Sequence, residues 1–261
     1  MLPDDFATAL AVAGDRAGIF SPHVLWYAEV SSTNDIAATL AGRGEPEGTV
    51  VIADAQSAGR GRHGRTWASP PGAGLFMSIL MRPAPHAVSL LTIAAGVALA
   101  EGIQAATGLH PQLKWPNDVY LGGRKLAGIL AEAGTSKSGV QHVVLGCGIN
   151  LMPAAYPPDV AARATSIESE LGRPIDRGLL LVECLAALHL RYRDLHVRAS
   201  AAVIARWRER AVSTLGRRVE WDVAGVTRHG VAEDIDESGA LLVRDGVARD
   251  RVISGEVRWL P

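Results

Sequence analysis

Gly59-Arg60-Gly61-Arg62-His63-Gly64-Arg65-Thr66-Trp67 is the stretch on which the reading of this sequence turns. Its glycines satisfy the G-x-G-x-x-G spacing of a dinucleotide-binding turn. That turn must join a strand to the first turn of a helix, where backbone N–H groups meet the pyrophosphate. Here the segment runs into Ser69-Pro70-Pro71-Gly72, which is no helix start of that kind. A doubly wound dinucleotide fold is therefore set aside. What remains is Arg60, Arg62 and Arg65 interleaved with glycine. Such a loop can fold over a polyanion and give bidentate hydrogen bonds to carboxylate or phosphate oxygens. Empty, its like charges repel and its glycines resist ordering, so it is expected to be mobile until filled. A solvated basic loop or an RNA-binding tract is the alternative from these residues alone. Trp67 reads as an anchor for the loop's end.

Outward from the loop, the chain reads as mixed helix and strand. Residues 4–13 suit a short helix and Val24 to Val30 a strand. Ser31-Ser32-Thr33-Asn34-Asp35 precedes Ile36, Ala37 and Leu40, as an N-cap precedes a first turn. Thr49 to Ala55 and Leu75 to Met81 are buried-strand runs on either side of a loop over 56–74, and the alanine- and leucine-rich 88–107 predicts a buried helix. Leu113 to Trp115, Val119 to Leu121 and Leu126 to Glu132 read as short strands around a hairpin at Gly122-Gly123, followed by a strand over Val140 to Asn150. Residues 153–174 begin proline-rich and irregular; helices follow over 177–196 and 200–212. From Gly216 the texture changes to short alternating segments, Val219–Val223, Gly230–Ile235, Ala240–Val243 and Arg251–Val257, separated by glycine turns. That is the signature of a small β-barrel of roughly 45 residues. The expected organisation is α+β: a mixed sheet flanked by helices over 1–213 and a small barrel over 214–261.

Composition narrows the function. With 261 residues, 48% of them hydrophobic, the chain can bury one sizeable core plus a small second unit. The net charge of −1 supplies no global basic field for nucleic acid or an anionic membrane. The longest apolar run, Leu90 to Ala100, falls short of the ~20 residues a membrane span needs. The N-terminus has no basic region before an apolar one, so no secretory signal is expected and the cytoplasm is the expected location. Cys147 and Cys184 sit in apolar runs and read as small buried residues. The histidines show no metal-ligand spacing, and no serine or cysteine nucleophile motif stands out.

Only three lysines, Lys114, Lys125 and Lys137, accompany the arginines, and two lie within one short stretch. In an arginine-dominated sequence, Lys125 after Gly122-Gly123-Arg124 suggests that a compact point charge is wanted, the alternative being a hairpin-edge surface lysine. Lys114 is either a second cation for phosphates or structural. Asn117 and Asp118 form a turn after Pro116, or Asp118 helps hold Mg²⁺, which takes few protein ligands. Gly128 and Gly148 read as places where backbone must approach a ligand closely.

Taken in order, these segments resemble the biotin protein ligase family. Gly59 to Trp67 resembles its biotin-and-ATP loop. Lys114-Trp115-Pro116-Asn117-Asp118 with Arg124-Lys125-Leu126-Ala127-Gly128 resembles its second motif, and Gly146-Cys147-Gly148-Ile149-Asn150 its third. The resemblance implies a catalytic domain distantly similar to class II aminoacyl-tRNA synthetases and an SH3-like C-terminal domain. It implies ATP-dependent transfer of biotin, through biotinyl-AMP, to a lysine of a biotin carboxyl carrier domain, with ATP and Mg²⁺ required. By resemblance, Ser32, Thr33, Asn34, Gln56, Gly59, Gly128 and Gly148 line the biotin pocket. Arg60, Arg62 and Lys125 meet the biotin carboxylate and carry catalysis, Lys125 reaching the α-phosphate as well. Arg62, Arg65, Trp67, Lys114, Asn117 and Asn150 serve the nucleotide. The family often stacks an aromatic on adenine near Ala164-Thr165-Ser166; none stands there. About 30 residues precede Ser32, too few for the winged helix of repressor members, so no specific DNA binding is expected; a homodimer is compatible. Lipoate–protein ligation, which shares the architecture, and a non-enzymatic nucleic-acid binder are the rival readings.

Overall fold

The computed structural model describes residues 1–136, 139–153, 158–212, 214–223, 225–253, 255 and 257–260. Lys137 and parts of the segment expected over Arg251–Val257 lie outside them. Helix α1 (Asp4–Ala13) leads through a 3₁₀ segment to β1 (Val24–Val30), α2 (Thr33–Gly42), β2 (Val50–Gln56) and β3 (Gly74–Met81). Next come α3 (Leu91–Thr107), β4 (Gln112–Lys114), β5 (Asp118–Leu121), β6 (Arg124–Ser136) and β7 (Gly139–Asn150). The stretch read as irregular contains two short helices, α4 (Pro158–Ala161) and α5 (Ile167–Leu171), before α6 (Arg177–His196) and α7 (Ser200–Arg210). Side-chain caps explain two of the helix starts: Ser166 opens α5, and Asp176 accepts the Leu179 N–H at 2.9 Å to open α6. Gly108, at φ 77°, closes α3 in the left-handed conformation that glycine tolerates best.

Seven strands form one mixed sheet in the order β1-β2-β3-β7-β6-β5-β4, with only β1 and β2 parallel. One face is covered by α3, which packs against α6 and α7 and is buried almost all round. By length and composition Pro85–Thr107 would also suit a membrane crossing; its place between sheet and helices makes it a core helix. The other face carries α2, which contacts β2, β3 and β7 and buries Ala37 against Val51 and Val144. Ten residues of helix cannot cover the whole face. The β6–β5–β4 half is left open, and the site runs from beneath α2 across it.

The C-terminal residues form a second, antiparallel sheet, β11-β10-β9-β8-β12, from β8 (Arg218–Val223), β9 (Val226–Ile235), β10 (Leu241–Asp245), β11 (Ala248–Val252) and β12 (Val257–Trp259). The single segment expected over Arg251–Val257 is two strands, β11 and β12, on opposite edges of the sheet. β9 begins four residues before the expected Gly230, because the Val226–Thr227 end pairs with Asp222–Val223 as a hairpin. Val219, Trp221, Ile235 and Leu241 are continuous with the main core, and Trp115, beyond the end of β4 rather than in it, donates its indole N–H to the Gly239 carbonyl at 2.9 Å. The second sheet therefore shares the main core, and β9 contacts α7.

Helix α3 crosses α6 so closely that a methyl carbon built at Gly102 would lie 2.5 Å from the Cys184 Cα. Intrinsic propensity favours alanine over glycine in a helix by about 1 kcal/mol. Overpacking against backbone costs about 1–3 kcal/mol and should win. Gly102→Ala is expected to lower the midpoint of urea unfolding; a raised midpoint would show that the two helices can part cheaply.

Candidate active site

The floor of the site is made of missing side chains. Gly128 on β6 pairs directly with Gly148 on β7, and Gly146 lies two residues before it on the same face. A methyl carbon at Gly128 or Gly148 would stand 2.8 or 2.7 Å from the Trp67 ring, and one at Gly146 would stand 2.3 Å from Asn34 Oδ1. The sequence reading gave Gly128 and Gly148 to a ligand. In the structure the group that approaches them is the indole of Trp67, at the end of the arginine-glycine loop. Gly59 does not border the cavity; its lack of a side chain admits the Trp67 carbonyl, 2.4 Å from where a Cβ would stand.

Above this floor lies a cavity of about 840 Å³, within the range of small-molecule sites. Apart from Gly59, every residue given a ligand role from the sequence borders it. One end is neutral and hydrogen-bonding. Thr33 donates its backbone N–H to Gln56 Oε1 at 2.8 Å, and Gln56 Nε2 donates to Ser69 Oγ at 2.9 Å. Ser69 in turn reaches the Trp67 carbonyl at 3.2 Å, so the first turn of α2 is tied to the loop's end. Ser78, fully buried on β3, lies 2.7 Å from Thr33 Oγ1 and 2.5 Å from Asn34 Oδ1. Ser32 stands at the N-cap of α2, as the sequence suggested, but its side chain makes no capping bond.

Several predicted residues are held by the protein itself. Arg60 gives its two terminal nitrogens to Asp35 Oδ1 at 2.5 Å and Glu132 Oε2 at 2.9 Å, and Asn34 donates to the same Glu132 oxygen. Asn150 donates to the Thr165 carbonyl at 3.0 Å. Asn117 donates to the Ile129 carbonyl at 2.7 Å and accepts from Arg62 at 3.3 Å. Arg62 also reaches the carbonyl of Gly255, between β11 and β12, at 3.2 Å, so the loop touches both units.

The other end of the cavity is cationic. Lys125 Nζ lies 2.7 Å from Asp118 Oδ1 and 5.2 Å from the centre of the Trp67 ring. A β-bulge aims it there: the register between β5 and β6 shifts between Val119 and Tyr120, with Leu126 as the extra residue. Lys114 Nζ sits 5.0 Å from the Tyr120 ring and 5.5 Å from that of Trp259. Burial pushes the Lys114 ammonium below the ordinary lysine value; Asp118 pulls it back, while Lys125, Arg217 and Arg163 add to the fall. Burial, with help from Asp118, pushes the Tyr120 hydroxyl up to about 12. Burial alone pushes the Cys147 thiol up to about 12, which disfavours the thiolate.

Among the described residues no three His, Cys, Asp or Glu side chains gather as a metal cage. The donor set nonetheless suits Mg²⁺, which keeps waters and takes one or two carboxylates together with substrate phosphates. Asp118 is such a carboxylate, and its Oδ1 is buried in the ion pair without a hydrogen bond.

Sequence reasoning missed Ser78, Glu132, Arg163, Tyr120 and Trp259. Ser78 carried a signal, as the one hydroxyl in an otherwise apolar strand core. The others carried none, because their places depend on strand pairing and on the docking of the second sheet.

A mixed sheet with this cavity, followed by a small antiparallel sheet, defines a protein of the biotin/lipoate ligase class. Residues 26–150 match the family described as "Biotin/lipoate A/B protein ligase family", and residues 214–258 match "Biotin protein ligase C terminal domain". The chain is 37% identical over 238 residues to a biotin–[acetyl-CoA-carboxylase] ligase of Paracoccus denitrificans, covering 88% of this chain and 98% of that one. It is 33% identical over 248 residues to the bifunctional ligase/repressor BirA of Bacillus subtilis, covering 94% of this chain and 76% of that one. Its fold is similar to that of a biotin protein ligase from Aquifex aeolicus in complex with biotin and ATP, with a TM-score of 0.79, 27% identity and coverage of 92% and 99%. The chain belongs to the biotin protein ligase family.

The packing of Trp67 on bare backbone makes a direct prediction. Gly148→Ala should lift the indole off β7 and free the loop that follows Gly59. Trypsin should then cut at Arg60, Arg62 or Arg65 faster than in the parent, with the fold intact by circular dichroism. Unchanged cleavage would mean that the loop is held without Trp67.

Proposed function

We propose that this chain activates biotin with ATP and transfers it to a lysine of a biotin carboxyl carrier domain. The observation that carries the reading is the polarity of this cavity, neutral and hydrogen-bonding beneath α2 and cationic at Lys125 and Lys114. Biotin has matching ends: a neutral ureido ring with two donors and one acceptor, and a carboxylate. Ser32 and Thr33 meet the ring, while Asn34 and Gln56, occupied by Glu132, Ser78 and Ser69, hold that wall in shape. The apolar tail crosses the glycine floor beside Trp67, and the carboxylate ends at Lys125 and Arg62. Arg60 acts through Asp35 and Glu132, as a fastener of the loop. Arg65, Trp67, Lys114, Asn117 and Asn150 border the space left for the nucleotide.

The carboxylate attacks the α-phosphorus of ATP and pyrophosphate leaves. Lys125 and Arg62 offset the charge that gathers on the phosphoryl oxygens, and positioning supplies most of the rest. Mg²⁺, held by Asp118 and the phosphates, would supply further neutralisation. The mixed anhydride stays under the loop, away from water, until the carrier's amine attacks its carbonyl and AMP leaves. Residues 1–213 serve as the catalytic domain and 214–261 as an SH3-like domain that closes the cavity through Gly255, Val257 and Trp259. Two free, buried cysteines suit a cytoplasmic setting. Relatives matched over nearly their whole length are named for biotin, which supports biotin over lipoate as the substrate. Incubation of the protein with biotin, ATP, Mg²⁺ and a carrier domain should raise the carrier's intact mass by one biotinyl group; an unchanged mass overturns the reading.

Lys125→Ala should retain the fold and much of the biotin binding. A charge-assisted hydrogen bond is worth about 1.5–3 kcal/mol, so biotin-dependent pyrophosphate release should fall at least about tenfold. Near-parent release would remove Lys125 from the chemistry. Arg62→Gly removes the contacts to Asn117 and Gly255 and adds backbone freedom to the loop. Lys125 remains, so biotinyl-AMP should still form but escape, since lost contacts show mostly in dissociation rates. The variant should biotinylate serum albumin, as read on a streptavidin blot, while the parent labels only its carrier. A variant that makes adenylate yet leaves albumin unlabelled would place Arg62 outside the closing contact.

A further inference from the structure

The polar wall beneath α2 holds few protons and many acceptors. A carboxylate can only accept. Glu132, ion-paired with Arg60 at 2.9 Å, lies 2.5 Å from the Asn34 side-chain amide. The amide nitrogen must therefore face Glu132, which leaves Asn34 Oδ1 toward Ser78 Oγ at 2.5 Å. An amide oxygen also only accepts, so the single Ser78 hydroxyl proton goes to Asn34. Thr33 Oγ1 lies 2.7 Å from Ser78 Oγ, and a contact of that length needs a proton between the two oxygens. Ser78 has none left, so Thr33 supplies it. The other contact of the Thr33 hydroxyl is Gln56 Oε1 at 3.1 Å. That oxygen is turned toward Thr33 by the Thr33 backbone N–H, 2.8 Å away, and it too can only accept. On either contact the Thr33 hydroxyl proton is spent inside the wall. Toward the cavity, Thr33 has only lone pairs to offer.

Thr33 borders the cavity, whereas Ser78 and Glu132 do not. We infer that Glu132 and Ser78 are specificity-determining positioning residues: by fixing Thr33 as an acceptor they select a ligand ring that carries an N–H at that point. The inference rests on the biotin ligase reading above. In a cyclic urea an N–H stands beside a C=O. The N–H meets Thr33, and the C=O meets Ser32, whose proton is not spent on capping α2. The dithiolane ring of lipoate has no N–H and would leave the Thr33 lone pairs buried without a partner. A site built around a hydrogen bond rejects a ligand that lacks it far more strongly than one that differs only in bulk. The acceptor-only carboxylate at the start of the relay is what fixes its direction. Glutamine in place of Glu132 can donate to Asn34. The Asn34 amide is then able to turn, Ser78 to donate to Thr33, and Thr33 to give its proton to a ligand.

Calorimetry on the full chain tests this with three ligands: biotin and the two cyclic carbamates in which ring oxygen replaces one or the other N–H. The parent should bind at least one carbamate about tenfold or more weakly than biotin. In Glu132→Gln and in Ser78→Ala that gap should shrink severalfold. The ratio of affinities cancels any general loss of binding from a loosened wall, and circular dichroism checks the fold of each variant. Asp35→Asn loosens Arg60 without touching Asn34, and should keep the gap of the parent. An unchanged gap in Glu132→Gln and Ser78→Ala, a parent that binds all three ligands alike, or an equal loss of the gap in Asp35→Asn would overturn the assignment while the biotin reading stands. A parent that binds none of the three overturns the biotin reading and this inference with it.

Discussion

Two glycines paired across neighbouring strands, Gly128 and Gly148, are the constraint from which the rest of the site follows. Glycine weakens a strand, by lost chain entropy and by the absence of a side chain to pack. Here the bare backbone receives the Trp67 ring, and Gly146 beside it receives Asn34. Trp67 closes one end of the arginine-glycine loop, and Asn34 opens α2. The two segments that cover the cavity are therefore seated on the same strip of sheet. A side chain at any of the three positions would push one of them away.

Much of the polar chemistry of the site is spent on its own shape. Gln56 joins Thr33 to Ser69; Asn34 joins Ser78 to Glu132; Arg60 joins Glu132 to Asp35. Buried polar groups are costly unless satisfied, and a satisfied network allows few alternative arrangements. Lys125, Lys114 and Arg62 lie outside this network, beside Asp118, Tyr120 and Asn117. Arg62 joins the loop to the second unit through Gly255, which makes the C-terminal unit part of the enclosure.

A protein of net charge −1 nevertheless sets Lys125, Arg163 and Arg217, together with Asp118, near enough to Lys114 to act on its charge. Overall charge speaks to solubility and to steering of distant partners; a site is governed by charges within a few ångströms. The near-neutral balance speaks to general attraction for polyanions, and it is silent about this local concentration. Three of these four cations come from the sheet and the segment bridged to it at Ala164, and Arg217 from the start of the second unit.

The sequence by itself determined the elements and the identity of the chemistry. Apolar periodicity located most helices and strands, because burial of one face leaves its period in the chain. The loop 59–67 and the motif around Lys114 and Lys125 were legible because their residue types recur at short, ordered spacing. Tertiary structure alone decided which way those residues point and what they touch. Strand alternation would set Lys125, three residues from Gly128, on the opposite face; the bulge at Leu126 brings it to the same one. Arg60 looks like its neighbours in sequence, yet it is claimed by Asp35 and Glu132, far off in the chain. Arg163 enters only because a segment without pattern pairs with the strand of Lys125. Bulges, long-range ion pairs and the docking of one unit on another depend on contacts between residues remote in sequence, and no local spacing records them.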